Sequence, residues 1–403
     1  MEILNIISNS ELRSKILTLK NTQIHLVFCS LNRIFVGKMA GLYIHIPFCK
    51  SRCIYCGFYS TTDIQLRQKY VDAVCKELRM RPSSDVVSTI YLGGGTPSQL
   101  TIAQLRQLFE TIYIYNKVEK GAEITIEMNP DDVTAEYAAA LQELGVNRVS
   151  MGAQTFSNNR LHFLHRRHHA EQVTLAVKTL RQAGIQNISV DLMYGFPDEL
   201  MSDWEEDVCK ALELDVEHLS AYCLMIEENT PLYRMHPEPI DEELERQMYE
   251  LLIDKLTAAG YEHYEISNFA KPGFRSRHNS SYWDGTPYIG IGAAAHSYDV
   301  KSRSWNVADI HNYIKGIEEG QRLFEEERID ENTRYNDAIT VALRTKNGLD
   351  LDKLSEKHKQ YCLANAQKFI KDGLLTDNHH RLRLTRKGLF VSDMIMSELI
   401  WID

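Results

Sequence analysis

From residue 43 to residue 269, short apolar runs rich in β-branched residues alternate with segments of helical periodicity. The runs at 43–48, 89–93, 123–129, 148–154, 187–194 and 218–225 read as strands, with a weaker seventh at 264–268. Between them, 70–78, 101–112, 135–144 and 170–183 repeat apolar residues at helical spacing. Two of these segments close on a glycine, Gly145 and Gly184, where a left-handed C-terminal cap is favoured. Near-continuous apolar strands separated by helices predict a parallel sheet covered by a second layer. The fold class is α/β, and six such units suit a complete or partial β/α barrel better than a two-domain dinucleotide-binding arrangement. The placement of polar residues agrees. Cys49, the glycines of 93–97, Glu127, Gln154 and Asp191 fall at or near the C-terminal ends of strands, the edge where β/α barrels build their active sites.

After Ile291 the pattern changes. From about residue 331 it predicts two helices, a short β hairpin around 379–384 and a last helix from near Thr385, a smaller helical, winged-helix-like domain. The expected division is 1–38, 39–325 and 326–403. The first 38 residues mix charged and apolar pieces without signal-peptide order. Met39 stands directly before the first strand, so 1–38 reads as a leader or a mis-assigned start outside the fold.

Composition narrows the function classes. With 44% apolar and 25% charged residues the chain is ordinary for a globular protein. Winged-helix modules often bind DNA, but a net charge of −10 argues against phosphate neutralisation, and no nucleic-acid partner is expected. No apolar run approaches the roughly 20 residues that span a bilayer. A cytoplasmic location is expected, with any membrane contact peripheral.

Eight cysteines do not suggest a disulfide scaffold, because Cys49, Cys53 and Cys56 crowd together while Cys29, Cys75, Cys209, Cys223 and Cys362 are scattered. Cys49-x3-Cys53-x2-Cys56 directly follows the first strand. Three thiolates at this spacing can wrap a cuboidal [4Fe–4S] cluster and leave one iron open to chelate a methionyl amine and carboxylate. Structural zinc competes with this reading. It wants four closed ligands, usually in two pairs, and the chain has no second Cys-x2-Cys, while His168 and His169 lie in a helical region far along.

Gly93-Gly94-Gly95-Thr96-Pro97 ends the second strand, and side-chain-free residues there would let the backbone approach a ligand. Glu127 could take an ammonium group, and Gln154 shares its edge with Arg166, which could meet a carboxylate or a ribose. Asp191 sits within a strand, where an unpaired buried carboxylate would be costly. Singly, each could equally be a cap or an internal ion pair; at one rim, ligand contact is the better reading.

Tyr43-x-His45-Ile46-Pro47-Phe48-Cys49-x3-Cys53-x-Tyr55-Cys56, the 93–97 loop and Val190-Asp191-Leu192-Met193-Tyr194-Gly195-Phe196-Pro197 resemble the HemN-like branch of the radical S-adenosylmethionine (SAM) superfamily. The resemblance runs from about Met39 to the C-terminus. It implies a partial (β/α) barrel followed by a smaller helical domain, with Cys49, Cys53 and Cys56 holding the cluster. It further implies that Tyr43, Tyr55, Gly94, Gly95, Thr96, Glu127, Gln154, Arg166 and Asp191 contact SAM. Within the branch, oxygen-independent coproporphyrinogen III dehydrogenases carry a fourth cysteine two residues past the third and a substantial N-terminal arm. Here the position is Phe58, and 1–38 does not look like that arm.

The chain is more similar to the HemW-type haem chaperones, whose signature is present as His278-Asn279-x2-Tyr282-Trp283. That likeness implies a protein that binds haem, the cluster and SAM without coproporphyrinogen oxidase activity. It would pass haem to acceptor proteins, membrane-bound respiratory enzymes among them. His278 could ligate haem iron while Tyr282 and Trp283 offer flat apolar area. The competing reading makes the two aromatics core residues and His278 a turn cap. His296, within a glycine-rich stretch, is a second candidate ligand. Radical decarboxylation of coproporphyrinogen III stays open as the alternative, and so does a radical SAM enzyme with an unrelated substrate.

Overall fold

The computed structural model describes residues 39–402 apart from His379. Six parallel strands lie side by side in chain order: β1 (Met39–Ile46), β2 (Val86–Gly94), β3 (Lys117–Met128), β4 (Arg148–Gln154), β5 (Asn187–Tyr194) and β6 (His218–Cys223). The predicted seventh strand is instead a hairpin. Glu262–Glu265 (β7) and Asn268–Ala270 (β8) pair antiparallel, and β8 joins β6 antiparallel. On the other side β9 (Tyr288–Ile291) runs parallel to β1, and β10 (His296–Tyr298), β11 (Ser302–Asn306) and β12 (Phe324–Arg328) continue the sheet antiparallel. The twelve strands form an open sheet, so the barrel is partial.

The outer layer is α1 (Arg67–Met80), α2 (Ile102–Tyr115), α3 (Ala135–Glu143), α4 (Ala170–Gln182), α5 (Met201–Glu213) and α6 (Glu242–Ala258). Local chemistry sets their ends. Thr101 and Gln104 form a capping box at the start of α2, and the Thr134 side chain caps α3. Gly145 has φ +87° and Gly184 φ +93°. Gly145 N donates to Gln142 O and Val146 N to Leu141 O, as Gly184 N does to Arg181 O and Ile185 N to Leu180 O, each at 3.0 Å, the paired closure of a Schellman cap.

The strands are not uniformly apolar. Leu42, Ile44, Ile46, Ile90, Leu92, Ile124, Ile126, Val149, Met151, Ile188, Val190 and Leu219 pack into the main core. The alternate positions, Tyr43, His45, Tyr91, Glu127, Ser150, Asp191 and Ser220, are mostly polar. Period-2 alternation places these on the opposite face, the concave interior of the half-barrel. A concave face with room for a ligand does not need an apolar lining, whereas the helix-covered face does. Arg148 lies on this interior face. It is 1% exposed, and its Nε and one terminal nitrogen have no hydrogen-bond partner.

A buried carboxylate ties the β9–β12 extension to the barrel. Glu77 of α1 accepts from Gly292 N (2.9 Å), Asn306 Nδ2 (3.0 Å) and Tyr313 Oη (2.7 Å), and pairs with Arg81 (2.9 Å). Tyr313 belongs to α8 (Ile310–Glu318), which packs on α1, whereas α7 (Arg277–Asp284) sets His278 against Tyr43, Thr89 and Tyr91 on the interior side.

The C-terminal unit has its own core around Tyr335, Ile339, Phe369, Leu382, Ile395 and Leu399. It consists of α9 (Glu331–Ala342), β13 (Leu349–Asp350), α10 (Glu356–Lys371), β14 (Leu375–Asp377), β15 (Arg381–Leu384), α11 (Arg386–Phe390) and α12 (Ser392–Leu399). Its three strands form a separate antiparallel sheet. It closes one edge of the large sheet: Ile266 N donates to Arg344 O and Lys346 N to Tyr264 O, each at 3.0 Å. The opposite edge is β12, whose five residues are all exposed and include Glu325, Glu326 and Glu327.

Candidate functional site

The loop leaving β1 is clamped from both sides. Cys49 N donates to Thr61 O (2.9 Å) and Thr61 N to Pro47 O (2.7 Å), while Gly95 N donates to Ile46 O (2.9 Å) and Thr96 N to Phe48 O (2.8 Å). Gly94 N is donated to Glu127 Oε2 at 3.1 Å. The glycines allow this packing. A Cβ on Gly95 would lie 2.8 Å from the Pro47 carbonyl carbon, and one on Gly94, with φ +112°, 2.5 Å from the His45 ring. The close approach expected here of a ligand is made by the protein itself. Carbonyl groups and the Thr96 side chain are what the loop leaves for a bound molecule.

Cys49, Cys53 and Cys56 all come from this loop and carry free thiols. Cys49 is buried, with Thr96 Oγ1 3.6 Å from its sulfur; Cys53 and Cys56 are partly exposed. The middle of the loop is pinned by Ile54, which packs with Leu164, Phe196, Leu224 and Leu232. Burial pushes the Cys49 and Cys56 thiols up, and each feels the charge of its neighbouring cysteine. Among the described residues no three His, Cys, Asp or Glu side chains converge on a point that suits a single ion. A cuboidal cluster spans several ångströms and takes ligands further apart than one ion does. The donor set fits it: three unpaired thiols on one clamped loop, with Arg166 donating to Cys53 Sγ at 3.6 Å.

The predicted contact residues gather around this loop. Glu127 accepts from Tyr91 Oη (2.8 Å) and from Gly94 N, and burial raises its pKa to about 7. Arg166 donates to Asn129 Oδ1 (2.9 Å) and Gly152 O (2.5 Å) as well as to Cys53. Burial opposes its charge, but Tyr55 and Cys53 beside it hold its pKa above the ordinary value. Tyr55, in turn, is pushed up by burial. Gln154 sits at a bulge in β4 with φ +68°. Asp191 is raised by burial, with Ser220, Arg148 and Ser150 acting against the shift. Tyr43 Oη lies 3.0 Å from His45 Nδ1. Tyr91, Asn129, Ser150, Ser220 and Arg148 were missed from sequence, although the alternation of polar and apolar strand positions marks four of them.

The second set of candidates separates. His278 in α7 is fully buried, with Nδ1 2.8 Å from Thr89 Oγ1 and Nε2 2.9 Å from Tyr282 Oη. Its ring stacks on Tyr91 at 5.0 Å, and burial lowers its pKa to about 3. Neither ring nitrogen is free in this conformation. Tyr282 and Trp283 reach a cavity of about 1630 Å³ between the barrel mouth and the C-terminal unit, and His296 lines it too. The glycines beside His296 serve packing. A Cβ on Gly290 would collide with the His296 carbonyl, and one on Gly292 would lie 2.5 Å from Tyr70 Oη.

Residues 43–208 match the family model of the radical SAM superfamily, and 329–391 that of the HemN C-terminal domain. The chain is 34% identical to the heme chaperone HemW of Lactococcus lactis over 91% of this chain and 98% of that one. It is also 34% identical to the Bacillus subtilis heme chaperone HemW, over 90% and 99% respectively. This chain belongs to the HemW family of radical SAM proteins. Its HemW fold is shared with coproporphyrinogen III oxidase (HemN) of Escherichia coli, at a TM-score of 0.80 and 22% identity over 94% of this chain and 93% of that one. Membership of the radical SAM superfamily implies a [4Fe–4S] cluster and SAM. No helix among the described residues is long and apolar enough to cross a membrane.

Proposed function

We propose that this chain is a haem chaperone, binding haem together with a [4Fe–4S] cluster and SAM and passing the haem to acceptor proteins, membrane-bound respiratory enzymes among them. The similarity over nine-tenths of the chain to proteins named heme chaperone HemW carries this reading. Phe58 supports it, standing where a decarboxylating relative would have a fourth cysteine.

Cys49, Cys53 and Cys56 would hold the cluster, which when bound supplies an electron and an iron with an open position. The chain's own polar groups would orient SAM. Glu127, fixed by Tyr91 and Gly94, can accept from an ammonium group, whose charge would offset the cost of ionising a buried carboxyl. Arg166, fixed by Asn129 and Gly152, can face a carboxylate or a ribose. Asp191 offers an acceptor on the same interior face, with Tyr43, Tyr55, Gln154 and Thr96 completing the surround.

The test is anaerobic reconstitution followed by haem titration and a coproporphyrinogen turnover assay on the same sample. Stoichiometric haem binding without protoporphyrinogen formation is expected. Turnover with SAM cleavage would instead make this a decarboxylating enzyme, and failure to bind haem would overturn the chaperone reading.

A further inference from the structure

We propose that His296, and not His278, ligates the iron of a haem seated in the cavity between the barrel mouth and the C-terminal unit. The inference rests on the haem reading above and assigns it a place and a ligand. Three observations carry it.

The first is availability. His278 is sealed in the barrel with both nitrogens engaged by Thr89 and Tyr282. His296 is exposed to the cavity, and no hydrogen bond among the described residues engages its ring. Trp305 stacks behind it at 5.8 Å and 23°, which fixes the ring plane without using a nitrogen. Burial, with a smaller push from Arg303, holds its pKa below the ordinary value. At neutral pH it is therefore an unprotonated imidazole, the form that binds iron.

The second is shape. The cavity, about 1630 Å³, exceeds the roughly 300–1,000 Å³ of ordinary small-molecule pockets. Tyr282 and Trp283 line it from α7 and Phe58 from the cysteine loop, so aromatic side chains share the cavity wall with the histidine, Trp283 with the Arg344 guanidinium over its ring at 5.3 Å. Phe58 is 70% exposed, so its ring is accessible to a guest in the cavity.

The third is charge. Arg334 lines the same cavity and is exposed, and no ion pair among the described residues uses it. A guanidinium so placed suits a carboxylate at the rim of a macrocycle, as a porphyrin's propionates provide.

The experiment titrates ferric haem, and separately iron-free protoporphyrin, into the full-length protein and into His296→Ala and His278→Ala. Thermal unfolding and reconstituted cluster content serve as controls on each. His296→Ala is expected to lose the absorption signature of histidine-ligated haem and to recover it with added imidazole, while binding iron-free protoporphyrin as the parent does. His278→Ala is expected to keep the ligated signature. An unchanged haem spectrum in His296→Ala overturns the assignment and leaves the chaperone reading standing. Equal loss of haem and iron-free porphyrin would make His296 a wall of the cavity and also overturn it. Absence of haem binding in the parent protein overturns both.

Discussion

The cysteine edge of the barrel and the cavity beside the C-terminal unit differ in how much of their polar surface is already used. At the edge, Glu127 accepts two hydrogen bonds, Arg166 donates three, and the N–H groups of Gly94, Gly95 and Thr96 are all donated, while Arg166 Nε and two Arg148 nitrogens are left without partners. In the cavity, His296 and Arg334 hold no such bonds among the described residues, and Trp283 Nε1 has no hydrogen-bond partner. The first region is preorganised, so a ligand meets groups whose ordering cost has been met during folding. In the second, Arg303 with Asp337 and Arg381 with Asp350 are paired, but His296 and Arg334 gain polar contacts only from a guest. Its exposed groups return to water when the guest leaves, which suits a cargo that must be handed on.

Four substitutions can break or sharpen this contrast. Cys53→Ala acts most strongly: iron and sulfide analysis after reconstitution should show the cluster abolished, and normal content would refute the assignment of the loop. Gly95→Ala comes next. Its methyl would meet backbone atoms of Pro47 and Phe48 below 3.0 Å, costing about 1–3 kcal/mol in denaturant unfolding. Cluster yield should drop while porphyrin binding in the cavity persists; a parallel loss of both would erase the distinction between the regions.

Glu127→Gln tests the edge by pH. A carboxyl raised from 4.5 to about 7 binds protons more tightly folded than unfolded. Its contribution is therefore fully present below the unfolded pKa and lost as pH rises through the folded one. The ligand-free protein should be less stable at about pH 8 than at about pH 5, by at most on the order of 3 kcal/mol from this group. The substitution should flatten that slope in urea unfolding. Glu199, also raised to about 7 by burial, keeps a part of it. Phe58→Ala has the smallest effect. Stability should stay within about 0.5 kcal/mol, since the ring is exposed, while porphyrin affinity falls and cluster content holds.

The parallel strands were legible because most are short apolar runs set between segments of helical periodicity. β4 and β5 lie at the expected 148–154 and 187–194. Their alternation was not seen. Ser150 and Asp191 sit among stronger apolar neighbours, and only the half-barrel's interior explains why every second position is polar. The hairpin at 262–270 was read as one strand because its turn carries no glycine or proline; Ile266 and Ser267 make it. Strands β9 to β12 were overlooked, being short and stabilised by pairing across long sequence distances, as Gly41 with Tyr288 shows. The cysteine loop needed only spacing to be found. The state of His278 could not be read that way, because Thr89, which occupies its Nδ1, lies 189 residues away.

An open sheet exposes two rows of unpaired backbone groups, and each is a place where another copy could add itself. The two edges described above answer this differently. On the β7 side the chain's own Arg344 and Lys346 already occupy the row, so nothing is offered. On the β12 side no other described strand pairs with the row, but a second β12 laid antiparallel against it would set Glu325, Glu326 and Glu327 against their own kind, and like charges facing across strands repel. The molecule can thus keep its half-barrel unclosed without polymerising through it.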